Sequence, residues 1–192
     1  MTQIINLKKD QQIDLSKNGV ALTKGVFGLG WKPATFTFGN VDIDASCLAI
    51  GADGKGKEWI YYRHLSSNNG SIKLDGDDLT GADNGEGTNA PDENITIELD
   101  HVDAEYIQLI LIINVFSNHK LGAVKDAFCR VTDYYSNEVL AEYDLDAEFK
   151  NDKAVVVGSL KRVNDSNEWS FTAVGKGFSV GVEEILKLYG MM

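Results

Sequence analysis

Residues 75–93, DGDDLTGADNGEGTNAPDE, carry seven carboxylates in nineteen positions (Asp75, Asp77, Asp78, Asp83, Glu86, Asp92 and Glu93), with no Lys or Arg between them. Gly76, Gly81, Gly85 and Gly87 are interleaved with these acids and let the backbone turn its carbonyl oxygens inward. Calcium takes about six to eight oxygens at roughly 2.3–2.6 Å from carboxylates, carbonyls and hydroxyls in a tolerant geometry. The stretch offers all three. Magnesium demands a stricter octahedron and keeps its waters, and zinc prefers His and Cys ligands that the stretch lacks. A second acidic element, VDIDAS, places Asp42, Asp44 and Ser46 on one face of a strand by its period of two. Two carboxylates side by side on a sheet face repel each other, and a shared cation would relieve that. The spacing is not that of an EF-hand, which needs a glycine at its sixth position and flanking helices. Two readings stay open on these residues alone: oxygen ligands for a hard cation, and a solvated acidic surface.

Three other motifs come close to known chemistry and then depart from it. GADGKGKE, residues 51–58, matches a phosphate-binding loop up to its lysine, but Glu58 stands where Ser or Thr would hold magnesium, and WIYY continues as a strand. A hairpin turn is the better reading. GEGTNA, residues 85–90, has a dinucleotide-like glycine pattern, yet no strand precedes it and Asp92 and Glu93 would repel a pyrophosphate. GFSVG, residues 177–181, has the form of a nucleophile elbow around Ser179. An elbow needs a histidine downstream, and the last one is His119. His64, His101 and His119 lack metal-ligand spacing and read as surface or turn residues.

The elements that must position these residues are mainly strands. Only two prolines occur, and nineteen glycines punctuate short apolar runs, so the expected strands are 2–7, 11–15, 20–28, 35–39, 44–50, 58–62, 71–74, 94–99, 106–116, 127–133, 138–143, 154–162 and 168–174. NITIELD and EWSFTAV alternate apolar and polar, as in sheets with one packed face. A short C-terminal helix is expected where Val182, Ile185, Leu186 and Tyr189 fall at helical spacing. The fold class is mainly β: a two-sheet β-sandwich with a short C-terminal helix, in one domain over residues 1–192. The apolar fraction of 43% is ordinary for a globular core. The net charge of −11 repels phosphates and anionic lipid heads, which argues against nucleic-acid and membrane-surface partners. No apolar run reaches bilayer length, so membrane insertion is excluded. MTQIINLKKDQQIDL lacks the features of a secretory signal. Cys47 and Cys129 read as buried cytoplasmic thiols, with a single disulfide between them as the alternative.

Six segments, in order, carry a family resemblance: VFGLGW (26–31), VDIDASCLAIGADGK (41–55), GDDLTG (76–81), LGAVKDAFCRV (121–131), LAEYDL (140–145) and NEWSFTAVGKGF (167–178). With them the chain resembles the TerD family of bacterial tellurium-resistance and stress proteins over nearly its whole length. The resemblance implies a cytoplasmic β-sandwich that binds calcium through acidic loops, more than one ion, without enzymatic activity. It implies a ligand set of Asp42, Asp44, Asp77, Asp78, Thr80, Gly81, Glu86, Asp92 and Glu93. Asp78 stands where the family usually has Asn, and the ADNGEGTNAPDE run is longer than usual. The expected partners are calcium and other proteins of stress complexes. The rival readings are a metal-dependent hydrolase, in which the cation activates water, and a calcium-dependent carbohydrate or adhesion domain.

Overall fold

A computed structural model of the chain describes residues 4–17, 20–33, 41–75, 91–145, 149–163 and 168–192. The strands in chain order are β1 (Ile5–Asn6), β2 (Gln12–Asp14), β3 (Ser16–Lys17), β4 (Val20–Ala21), β5 (Lys24–Pro33), β6 (Ile43–Gly51) and β7 (Gly56–Ile60). They continue with β8 (Ile72–Leu74), β9 (Glu93–Glu98), β10 (Tyr106–Val115), β11 (Val124–Asp133), β12 (Val139–Asp144), β13 (Ala154–Arg162) and β14 (Trp169–Phe178). A helix, α1 (Val182–Leu188), follows. One six-stranded sheet runs β1-β12-β11-β5-β9-β8 and the other β2-β14-β13-β10-β6-β7, with β3 and β4 forming a separate ribbon. Below, these are the first and second sheets.

The two sheets share one apolar core. Phe27, Leu29, Ile95, Ile97, Cys129 and Val131 enter it from the first sheet, and Ile43, Ala45, Cys47, Leu109, Leu111 and Phe171 from the second. β9 shows the alternation read from NITIELD, with Glu93, Ile95 and Ile97 buried and the residues between them half-buried. β6 is buried at all nine positions because its outer side is covered too. Leu48 and Ile50 face a second cluster formed with Val182, Ile185 and Leu186 of α1. The helix forms where its apolar spacing was read. Glu183 and Glu184 in its first turn and Lys187 in its last suit the helix dipole. Gly190, at φ 68°, ends it in the left-handed conformation that glycine adopts without a Cβ penalty.

Two strands run further than the sequence reading allowed. β5 continues past residue 28 through Gly28 and Gly30, and both glycines serve packing, not turning. A Cβ on Gly28 would collide with the Pro91 ring, and one on Gly30 with the Phe128 ring. β14 likewise runs on to Phe178, past the expected end at 174, and the Asp152 carboxylate occupies the place of a Cβ on Gly177. Within the described part of the expected strand 2–7, which begins at residue 4, the strand is the two residues of β1, and 20–28 is divided between β4 and β5. The expected strand 35–39 lies outside the described residues. The 51–58 stretch is a hairpin turn as expected: Gly51 N donates to Lys55 O, Gly54 N donates to Gly51 O, and β6 pairs with β7.

Candidate metal centre

Four acids of the implied ligand set, Asp42, Asp44, Asp92 and Glu93, lie among the described residues, at one end of the sandwich. Glu93 opens β9 opposite Leu29 of β5, on the inward face with Ile95 and Ile97, and is only 3% exposed. Its side chain crosses to the other sheet, where Oε2 accepts a hydrogen bond from the Ala45 N–H at 2.6 Å. The reason is topological. β7 pairs with β6 no further than Ile60 opposite Cys47, so Ala45 lies past the paired part of that edge, and a buried N–H there needs an acceptor.

Asp92 does similar work on the first sheet. Its N–H donates to Leu29 O at 2.7 Å, and its Oδ2 accepts from the Trp31 N–H at 2.8 Å. A side chain thus carries the ladder one step beyond the last β5–β9 pair. Both carboxylates stand where the acidic stretch 76–90 rejoins the sheet, so the local backbone is fixed by acids that also terminate that stretch.

Asp44 is 8% exposed and Ser46 4%. Both lie on the side of β6 that faces away from Ile43, Ala45 and Cys47, so the shared face read from VDIDAS is present. Asp44 stands opposite Asn114 of β10, whose Oδ1 accepts from the Val182 N–H at the start of α1. Asp42 precedes the strand, and its carbonyl accepts from Phe116 N. Glu93 and Asp44 therefore reach the same stretch of β6 from its two faces. Among the described residues, no three His, Cys, Asp or Glu side chains come together closely enough to hold a metal ion. Asp77, Asp78, Thr80, Gly81 and Glu86 lie outside the described residues.

A second polar cluster went unread in the sequence. Glu58 of β7 is 6% exposed and opposes Ala49, on the inward side shared with Ile60. Its Oε1 meets His64 Nε2 at 2.8 Å and accepts from Asn68 N at 2.9 Å, and its Oε2 accepts from the Tyr106 hydroxyl at 2.7 Å. Burial, followed by the hydrogen bond to Glu58, drives the Tyr106 phenol pKa upward. The available signal was parity: in KEWIYY the acid shares a face with Ile60, an unusual place for a charge unless it has partners.

His101 is paired with Asp100 and His119 with Ser117, so the three histidines sit in three separate settings. Ser179 is exposed, in the short link between β14 and α1. Cys47 and Cys129 are free thiols, both buried, with no disulfide between them. Burial raises both thiol pKa values, Cys129 to about 12. We therefore expect neither thiol to react with a disulfide reagent at neutral pH until denaturant opens the core, when both react together. Reaction of either in the native protein would contradict this packing. No helix among the described residues is long and apolar enough to cross a membrane.

A family model described as the TerD domain matches residues 3–189. General stress protein 16U of Bacillus subtilis (strain 168) is 35% identical over 195 residues, covering 97% of each chain. Tellurium resistance protein TerD of Serratia marcescens is 30% identical, again over 97% of each. Among solved structures, a homologue of a telluride resistance protein (TerD) from Streptomyces coelicolor A3(2) superposes with a TM-score of 0.71 at 20% identity. That match covers 89% of this chain and 98% of the other, a likeness of fold.

Proposed function

The chain belongs to the TerD family of tellurium-resistance and stress-response proteins, and on that premise we propose that it is a cytoplasmic calcium-binding module that acts by binding and not by turnover. The observation that carries this reading is that Glu93, at the end of the acidic stretch, is hydrogen-bonded through its buried carboxylate to the β6 backbone at Ala45, beside Asp44, whose own buried carboxylate leaves the other face of that strand.

The donor chemistry fits a hard cation. Asp44 and Glu93 are carboxylates largely withdrawn from water, the stretch ending on Asp92 adds further acids, and no His or Cys belongs to the set. Calcium, when bound, supplies the positive charge that offsets this like charge. The residues that would hold it are Asp42, Asp44, Asp92 and Glu93 together with Asp77, Asp78, Thr80, Gly81 and Glu86, enough oxygens for more than one ion. Asp92 and Glu93 also bond to backbone N–H groups, which fixes their orientation before any ion arrives and lowers the ordering cost of binding.

A surface of this sign is a poor direct trap for tellurite, itself an anion, so a contribution to resistance would run through the calcium-loaded module and its protein partners. The test is a paired calorimetric titration. Asp77→Ala should weaken calcium binding by tenfold or more, while Asp165→Ala, outside the matched segments, should leave it unchanged. Equal losses in the two variants would reduce the acidic stretch to surface charge.

A further inference from the structure

We infer that the Trp31 indole N–H is a built part of the metal centre, donating a hydrogen bond to an oxygen that itself ligates calcium; this rests on the calcium reading above. Trp31 is 3% exposed, and its buried Nε1 finds no hydrogen-bond acceptor among the described residues. A buried donor left unsatisfied costs roughly 1–3 kcal/mol, and an indole N–H in a core normally finds a partner. Trp169 shows the ordinary solution, with Nε1 donating to Leu99 O at 3.0 Å.

The position of Trp31 points to the missing acceptor. Phe27, Leu29 and Trp31 alternate along the inward face of β5, and Leu29 stands opposite Glu93. Trp31 is therefore one pleat beyond Glu93 on the same face, and its own backbone N–H is held by Asp92. It stands just past Asp92 and Glu93, at the point where the acidic stretch rejoins the sheet. An N–H cannot ligate a cation. Beside one, it is useful only by donating to an oxygen in the coordination shell, a carboxylate or a water, and such outer-shell donors orient ligands.

The experiment uses the full 15N-labelled chain and calcium itself. The chain has three tryptophans, hence three indole resonances, assigned from Trp59→Phe and Trp169→Phe so that the wild-type protein decides the question. Calcium added to chelator-treated protein should move the Trp31 indole proton downfield and slow its exchange with solvent, leaving the Trp169 indole in place. Trp31→Phe, which keeps an aromatic ring and removes the donor, should weaken calcium binding about tenfold. A Trp31 indole that does not respond while calorimetry records calcium binding overturns this inference alone. An absence of calcium binding by the wild-type chain overturns it together with the calcium reading.

Discussion

Glu58→Ala is expected to cost about 3 kcal/mol or more of folding stability, because one small substitution withdraws the acceptor from three donors. Hydrogen bonds to a charged acceptor contribute about 1.5–3 kcal/mol each, and an abandoned buried donor costs roughly 1–3 kcal/mol. The Tyr106 hydroxyl is the donor that water reaches least, since Tyr106 is 6% exposed, whereas His64 and Asn68 lie toward solvent and recover part of their loss. Urea denaturation checks the figure: the midpoint should fall with the slope unchanged. Tyr106→Phe removes one bond and leaves Glu58 with His64 and Asn68, so it should cost less than Glu58→Ala. The two changes together should cost less than their sum, because they share a bond. A loss below about 0.5 kcal/mol for Glu58→Ala, the level of an ordinary surface change, would contradict a structural role for the cluster.

The second large effect separates the two tasks assigned to Glu93. Glu93→Gln keeps a carbonyl oxygen able to accept from the Ala45 N–H but removes the charge. It should retain most of the stability measured in chelator while losing most of the added stability that calcium confers. Glu93→Ala removes both, stranding a buried N–H between the sheets, and should lose roughly 1–3 kcal/mol even in chelator in addition to the calcium response. If Glu93→Gln still gained full stability from calcium, Glu93 would be a bridge between sheets and nothing more.

What could be read in advance follows from how each feature is encoded. β9, β14 and α1 were visible because one packed face imposes a period, two for the strands and 3.6 for the helix. Beyond its opening residues 43–46, β6 carries no such period, since the core covers one side and α1 much of the other, and only its length and turn signals marked that part. Glycines misled where their role is tertiary. Gly28 and Gly30 resemble a turn in sequence, yet they admit the rings of Pro91 and Phe128, which lie 63 and 98 positions further on. The acids of the candidate site were legible as a composition, and the pairing of Asp44 with Ser46 as a period. The crossing from Glu93 to Ala45 was not, because it depends on β7 ending at Ile60. The Glu58 cluster had only its parity to announce it, since Tyr106 is 48 residues away.

The central claim, that the acidic end of the sandwich is a calcium site of the native fold, is tested most directly by thermal unfolding of the same preparation in chelator and in excess calcium. A ligand that binds only the folded chain at a hundredfold excess over its Kd adds about 2.7 kcal/mol, and for a domain of this size each kcal/mol raises Tm by about 2–4 °C. Calcium should therefore raise Tm by roughly 5–11 °C, and renewed chelation should reverse the shift. Superimposable unfolding curves in chelator and in calcium would contradict the account.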